Sequence, residues 1–118
     1  MKRYITVFNQ FNGCHCYPMA PDEVSYLKNV HRHCFKVKTT ISVTHNDREL
    51  EFYMVQDEID LFIKANFLSG SMSCEMYAEQ LVYFILDKYG SDREVSVEVS
   101  EDGLQYATVN NSDEVGGK

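Results

Sequence analysis

The sequence predicts an α+β domain in which helices cover one face of an antiparallel sheet. Apolar residues recur at every second position near both ends of the chain, which is typical of strands with one buried face. Between these segments the apolar spacing becomes helical, so strands precede and follow the helices instead of alternating with them. The 118 residues, 44% hydrophobic and 25% charged, are enough for one domain with its own core.

The chain begins with an apolar segment that we expect to be the first strand. The apolar run within residues 1–11 is interrupted by Thr6, Asn9 and Gln10, and no small-residue cleavage site follows it. This pattern does not indicate a signal peptide, so a cytoplasmic protein is expected. Residues 12–30 contain a glycine and both prolines and lack a sustained period, which predicts a long irregular connection. Loops of this length within compact domains are usually functional.

The clearest strand pattern runs from His31 to Val43. His31 and His33 occupy the face that becomes apolar further along, so both imidazoles leave the strand end on one side. Such a pair can share a metal, although His-x-His is also common without one. If residues 12–30 fold back, His15 joins the pair, and three neutral imidazoles form a zinc site with an open position. The alternative for His15 is a hydrogen-bonded loop histidine.

Two helices are predicted in the middle of the chain, after a third strand. Residues 49–54 alternate between apolar and polar, which predicts a strand in a hairpin with the preceding one. From about Gln56 the period becomes helical. A second, longer helix is predicted from Cys74 to Tyr89, with Ser73 as its N-cap and Gly90 at its end.

The last two strands are predicted at residues 94–101 and 104–109, and they complete a single domain of residues 1–109. Residues 110–118 form a polar tail that we expect to be flexible. Glu101 continues the inward parity of the first of these strands. Because a buried unpaired carboxylate is costly, Glu101 either holds the donor groups of a ligand or is the exposed first residue of the turn.

Charge and cysteine usage restrict the function further. The net charge is −7, yet residues 1–48 carry seven lysines and arginines against three acids, or +4, which leaves −11 for the remainder. A chain this acidic is a poor candidate for nucleic-acid binding, and no stretch predicts a membrane span. No C-x-x-C motif is present, and we expect free thiols at all four cysteines, which are Cys14, Cys16, Cys34 and Cys74.

Five short elements, in chain order, resemble a known enzyme family. They are residues 11–15 (FNGCH), 31–33 (HRH), 54–57 (MVQD), 72–75 (MSCE) and 99–101 (VSE). They resemble the F-x-x-x-H, H-G-H, M-V-x-D-F, P-T-S-E and V-x-E-T elements of the 6-pyruvoyl tetrahydropterin synthase / 6-carboxytetrahydropterin synthase (QueD) family. The resemblance covers roughly residues 4–109.

The resemblance implies a tunnelling fold, with the element order βββααββ or ββααββ. Subunits would join their sheets into a barrel, giving a homo-oligomer with ligand sites between neighbours. Members bind Zn²⁺ through three histidines and anchor a pterin- or purine-like ring on a glutamate, helped by backbone at the helix start. Here the resemblance implies metal binding by His15, His31 and His33, and substrate binding by Glu101, Ser73 and Cys74.

The sequence also departs from the family. The family's catalytic cysteine position is Leu27 here, and residues 66–72 lack the family's Asp-His pair. A relocated proton shuttle is therefore needed, and Cys14 and Cys16 are the catalytic candidates. Other substitutes are Cys34, Tyr26, or His45 from a neighbouring subunit.

Three functions remain open from the sequence. One is a zinc-dependent, lyase-like enzyme acting on a pterin- or purine-like substrate, including a triphosphate form. Another is a non-catalytic oligomer that binds such a metabolite. The third is a structural protein with neither metal nor ligand.

Overall fold

The chain folds as a small α+β domain built on an antiparallel sheet, as the sequence predicts. The structure is a computed structural model that describes residues 1–67, 69–70 and 72–113, and for residues 15, 69 and 70 it describes the backbone only. The elements, in chain order, are β1 (Arg3–His15), a 3-10 segment (Asp22–Lys28), β2 (His31–Val43), α1 (Phe52–Asn66), β3 (Ser69–Gly70), α2 (Cys74–Tyr89), β4 (Val95–Glu101) and β5 (Gln105–Asn110).

The sheet has the spatial order β3-β1-β2-β4-β5. The four longer strands are antiparallel, and the two-residue β3 pairs in parallel with the end of β1 at Cys14 and His15. The order β1-β2-α1-α2-β4-β5, with the short β3 between the helices, corresponds to the second of the two predicted orders.

One face of the sheet carries the hydrophobic core. Alternate residues of β2 and β4 are fully buried against the helices, as the period of two predicts. The helices contribute residues at helical spacing, and sheet and helices share one cluster. Its largest fully buried members include Tyr77, Phe35, Ile41, Ile59, Leu81 and Ile85.

The predicted third strand at residues 49–54 is wrong, because α1 already begins at Phe52. The Glu51 carboxylate accepts hydrogen bonds from the backbone N–H groups of Tyr53 and Met54, so it caps the first turn. Phe52 and Met54 are 54% and 67% exposed, so their alternation does not mark a buried face. A short apolar alternation cannot distinguish a strand from the start of a helix.

The predicted irregular connection is shorter than expected. β1 continues to His15, and the 3-10 segment occupies Asp22–Lys28. The Tyr17 N–H donates to the Leu27 carbonyl at 2.7 Å, which joins the two ends of the connection. His15 is therefore the last residue of a strand and does not belong to a loop.

The folded domain also extends beyond residue 109. Asn110 belongs to β5, and the Asn111 side chain is buried. Its amide donates to the Arg93 carbonyl and its oxygen accepts from the Val95 N–H, both at 2.8 Å. The rest of the predicted tail is described only to Asp113, and residues 114–118 lie outside the described residues. In the part of the chain that the structure describes, no helix is long and apolar enough to cross a membrane.

Candidate metal and ligand site

The histidine positions meet at one end of the sheet, on its helix-covered face. In the β1–β2 ladder His15 is directly opposite His31, and Gly13 is directly opposite His33. Directly opposite residues of an antiparallel pair share a face, so the backbone positions of all three histidines belong to the core face. The side chain of His15 lies outside the described residues.

The rings of His31 and His33 lie close together and nearly perpendicular, with centroids 4.8 Å apart at 88°. Nδ1 of His31 is 2.7 Å from the Asn29 carbonyl oxygen, and Nδ1 of His33 is 2.8 Å from Oδ2 of Asp102. Both oxygens can only accept, so each Nδ1 carries a proton and donates. In a neutral imidazole this leaves the lone pair on Nε2, and both Nε2 atoms are shielded from solvent.

Glu101 faces the same site. Its Oε2 lies 3.3 Å from Nε2 of His33, and its side chain is partly buried. It lines two clefts of about 460 Å³ and 440 Å³. The larger cleft is also lined by His31 and by the start of α2. Of the two alternatives for Glu101, the geometry favours a residue of the site over an exposed turn residue.

The start of α2 forms one wall of the larger cleft. Ser73 caps the helix, as predicted, by accepting a hydrogen bond from the Met76 N–H at 3.2 Å. Cys74 lines both clefts. Burial, followed by the charges of Glu101 and Glu75, raises the pKa of the Cys74 thiol to about 11. Cys74 is therefore a neutral thiol at physiological pH and a poor nucleophile.

The two candidate catalytic cysteines lie in different places. Cys14 is opposite Arg32 in the ladder, so its position is on the sheet face away from His31 and His33. Cys16 follows the end of β1 and lines the larger cleft. The structure therefore brings Cys16, and not Cys14, to the site.

The other proposed proton shuttles are not among the residues that line this cleft within one chain. Cys34 is opposite Asn12, on the same outer face as Cys14. Tyr26 is 67% exposed on the 3-10 segment. His45 follows the far end of β2, where its Nδ1 accepts from the Asp47 N–H.

The zinc triad remains a prediction. Among the described side chains, which do not include His15, no group of three His, Cys, Asp or Glu residues is arranged to hold a metal ion. The two described histidines nevertheless fit a metal, because hydrogen-bonded Nδ1 atoms and buried Nε2 atoms are the usual arrangement of metal-binding imidazoles.

Two residues of the site were missed in the sequence. Asn29 acts through its carbonyl oxygen, which no sequence pattern identifies. Asp102 stands where the V-x-E-T element has threonine, and its Asp-Gly pair with Gly103 indicates only a turn. The available signal for Asp102 is its place in the sequence, because it directly follows Glu101, the inward-facing residue at the end of a strand.

Comparison with known proteins identifies the fold and no family. No family model matches the chain, and no curated protein matches it. Among solved structures, the uncharacterized protein WS1659 from Wolinella succinogenes is similar, with a TM-score of 0.74 and 12% sequence identity. The similarity covers 94% of this chain and 99% of that chain. The chain therefore shares its overall fold with that protein.

Proposed function

We propose that this chain is a zinc-binding protein of the 6-pyruvoyl tetrahydropterin synthase / QueD type that acts on a pterin- or purine-like substrate. The proposal is carried by the hydrogen bonds of two Nδ1 atoms, from His31 to the Asn29 carbonyl oxygen and from His33 to Oδ2 of Asp102. These bonds use Nδ1 of two neighbouring rings and leave Nε2 of each as the nitrogen for a metal, at the end of the sheet where the backbone of His15 is opposite His31.

The proposed zinc ligands are Nε2 of His31, Nε2 of His33 and the imidazole of His15. Neutral imidazoles are common zinc ligands, and three of them leave one coordination position open. When bound there, zinc supplies Lewis-acid polarisation of a substrate carbonyl or hydroxyl oxygen.

Glu101 is the proposed anchor of the substrate ring. A carboxylate that is partly withdrawn from solvent can accept two hydrogen bonds from neighbouring N–H groups of a pterin or purine. The cleft of about 460 Å³ lies within the usual range for small-molecule sites, about 300–1,000 Å³. Ser73 and Cys74 line its wall, where backbone groups can orient the ring.

Cys16 is the proposed acid/base of the enzyme. It lines the cleft together with His31 and Glu101, so a substrate anchored on Glu101 lies on the same side of the sheet as this thiol. A lyase-type reaction on this substrate class needs a proton to be moved, and a thiol within hydrogen-bond reach can do so.

A tunnelling-fold oligomer is part of the proposal. Within the described residues β5 pairs with β4 alone, and β1 pairs with β3 only at Cys14 and His15. Long open edges favour pairing with another chain. Joining β5 of one copy to β1 of the next would extend the sheet into a ring and bring a neighbour close to the clefts beside Glu101.

A non-catalytic binder is the second candidate. It is favoured by the raised pKa of Cys74, which removes one thiol of the cleft from acid/base work at neutral pH. Under this alternative Glu101 anchors the same ring and Cys16 only packs against it. The two functions share the metal and the ligand class and differ in whether the ligand is converted.

The experiment combines zinc-loaded and chelated protein with a pterin triphosphate and follows binding by calorimetry and conversion by chromatography. The enzyme function predicts conversion that is lost on chelation and with Cys16→Ala, while Cys14→Ala retains it. The binder function predicts that zinc-loaded wild type, Cys14→Ala and Cys16→Ala all bind the ligand stoichiometrically and leave it unchanged. If neither binding nor conversion occurs with the zinc-loaded protein, the proposed substrate class is wrong.

A further inference from the structure

We infer that Asp102 is a positioning residue that selects the nitrogen His33 presents to a metal and that ties the β4–β5 turn to β2. The inference rests on the proposed zinc site, because it assigns Asp102 a role through His33. Nothing in the sequence elements shared with the resembled family predicts this role.

The geometry of Asp102 is that of a clamp on two consecutive residues of β2. Its Oδ2 lies 2.8 Å from Nδ1 of His33, and its Oδ1 accepts a hydrogen bond from the Cys34 N–H at 3.1 Å. The backbone N–H of Asp102 donates to the Cys34 carbonyl at 3.0 Å. Three hydrogen bonds therefore hold one turn residue against the strand that carries the histidines.

The backbone of Asp102 is compatible with this role. Its φ is +61°, in the left-handed region where Asp and Asn are the preferred residues other than glycine. The conformation turns the chain back directly after Glu101, whose Oε2 lies 3.3 Å from His33 Nε2. A substitution at Asp102 should therefore alter the positions of both the His33 imidazole and the Glu101 carboxylate.

The chemistry follows from the acceptor-only character of a carboxylate. The hydrogen bond from His33, followed by that from the Cys34 N–H, lowers the pKa of Asp102. Carboxylates face both ring nitrogens of His33, and a carboxylate can only accept. Asp102 Oδ2 lies 2.8 Å from Nδ1, closer than Glu101 Oε2 at 3.3 Å from Nε2, so the single proton of neutral His33 stays on Nδ1 and the lone pair on Nε2. The opposite tautomer would present an N–H to the metal.

Substitution by asparagine separates positioning from turn formation. Asn tolerates the same left-handed φ, and its amide oxygen can still accept from the Cys34 N–H. The amide NH₂ then faces Nδ1 of His33, which must accept, and the proton moves to Nε2. A purely structural role in the turn predicts no change in tautomer.

The test measures the tautomer of His33 by ¹⁵N NMR in metal-free protein at one neutral pH, together with zinc affinity by competition. Asp102→Asn should shift His33, and not His31, from the Nδ1–H to the Nε2–H form. Loss of a partner that orients a metal ligand typically weakens metal binding by about 10- to 100-fold, which is the expected effect. Ser100→Ala is the matched control, because it removes the bond from the Gly103 N–H in the same turn without touching His33.

The outcomes distinguish this inference from the proposed function. An unchanged His33 tautomer in Asp102→Asn overturns the positioning role, as does an equal loss of zinc affinity in Ser100→Ala. If Asp102→Asn does not fold, the wild-type spectrum decides, because Nε2–H on His33 would contradict the inference. If the tautomer shifts as expected while wild-type protein binds no zinc, Asp102 keeps its role and the zinc function fails.

Discussion

His15 and His31 are directly opposite each other in the ladder between β1 and β2. This register places a third histidine position beside the pair on β2 without any folding back of a loop. Directly opposite residues have Cβ atoms about 4.5–5.5 Å apart, a spacing from which two imidazoles can reach one ion. The metal prediction therefore depends on strand register, and it can be tested one ligand at a time.

Removing a proposed ligand should weaken zinc binding far more than removing a remote histidine. His31→Ala and His33→Ala each delete one proposed nitrogen ligand. We expect zinc affinity to fall by more than the roughly 10- to 100-fold that is typical when a residue supporting a ligand is removed. Competition with a chromophoric chelator measures the affinity. His45→Ala, at the far end of β2, serves as the control and should bind zinc like the wild type. Wild-type affinity in His31→Ala would remove this residue from the site.

Glu101→Gln should abolish ring binding while zinc stays bound. The amide presents an NH₂ group where the ring's N–H groups need acceptors, so a repulsive contact replaces a hydrogen bond. Calorimetry with a pterin measures the loss. Glu98→Gln is the control, because Glu98 pairs with Lys38 on the other face of the sheet. Equal losses in both variants would indicate a general effect of charge and not an anchor.

The carboxylate of Glu49 should make stability depend on pH in the acidic range. Hydrogen bonds from the Thr44 hydroxyl and backbone N–H, then from Arg93, lower the pKa of Glu49 from 4.5 to about 2. A lowered folded-state pKa contributes stability above the unfolded-state pKa, and this contribution is lost as pH falls through the folded-state pKa.

Glu49→Gln should therefore be less stable than the wild type at pH 7. Denaturation curves recorded at several pH values should show this difference shrinking between pH 4.5 and about 2. The exposed Glu79→Gln on α2 should match the wild type throughout. A difference for Glu49→Gln that stays constant down to pH 2 would contradict the assignment.

The core between α1 and the sheet should be sensitive to cavities. Ile59 is fully buried in the cluster that joins both helices to the sheet. Ile59→Ala should lower the free energy of unfolding by about 2–5 kcal/mol, as large-to-small changes in cores do. Leu61 on the same helix is 62% exposed, and Leu61→Ala should change it by no more than about 0.5 kcal/mol. Chemical denaturation measures both, and similar values would contradict the packing described.

Long segments with consistent local signals were predicted accurately. The bounds of β2 (His31–Val43) and α2 (Cys74–Tyr89) agree with the prediction because sustained periodicity and caps indicate the same element. Residues 49–54 failed because three alternating apolar residues carry little information, and the cap at Glu51 is of an uncommon type. A strand is therefore predicted wrongly at residues 49–54, because the apolar pattern is short and no turn residues support or exclude it.

The site was predicted in part. The strand parity of His31, His33 and Glu101 predicts that these residues meet there, and the structure brings all three together. The sequence does not indicate that β1 extends to His15, so the face on which Cys14 lies follows only from the structure. Asn29 and Asp102 act through a backbone carbonyl and a turn, and such contacts depend on tertiary geometry that a single sequence does not encode locally.

Anomalous diffraction at the zinc absorption edge, from crystals grown with zinc, tests the central claim most directly. We expect a peak about 2.0–2.1 Å from Nε2 of both His31 and His33, with the His15 ring as the third ligand. Absence of a peak at these nitrogens, or a zinc ion bound only elsewhere on the chain, would contradict it.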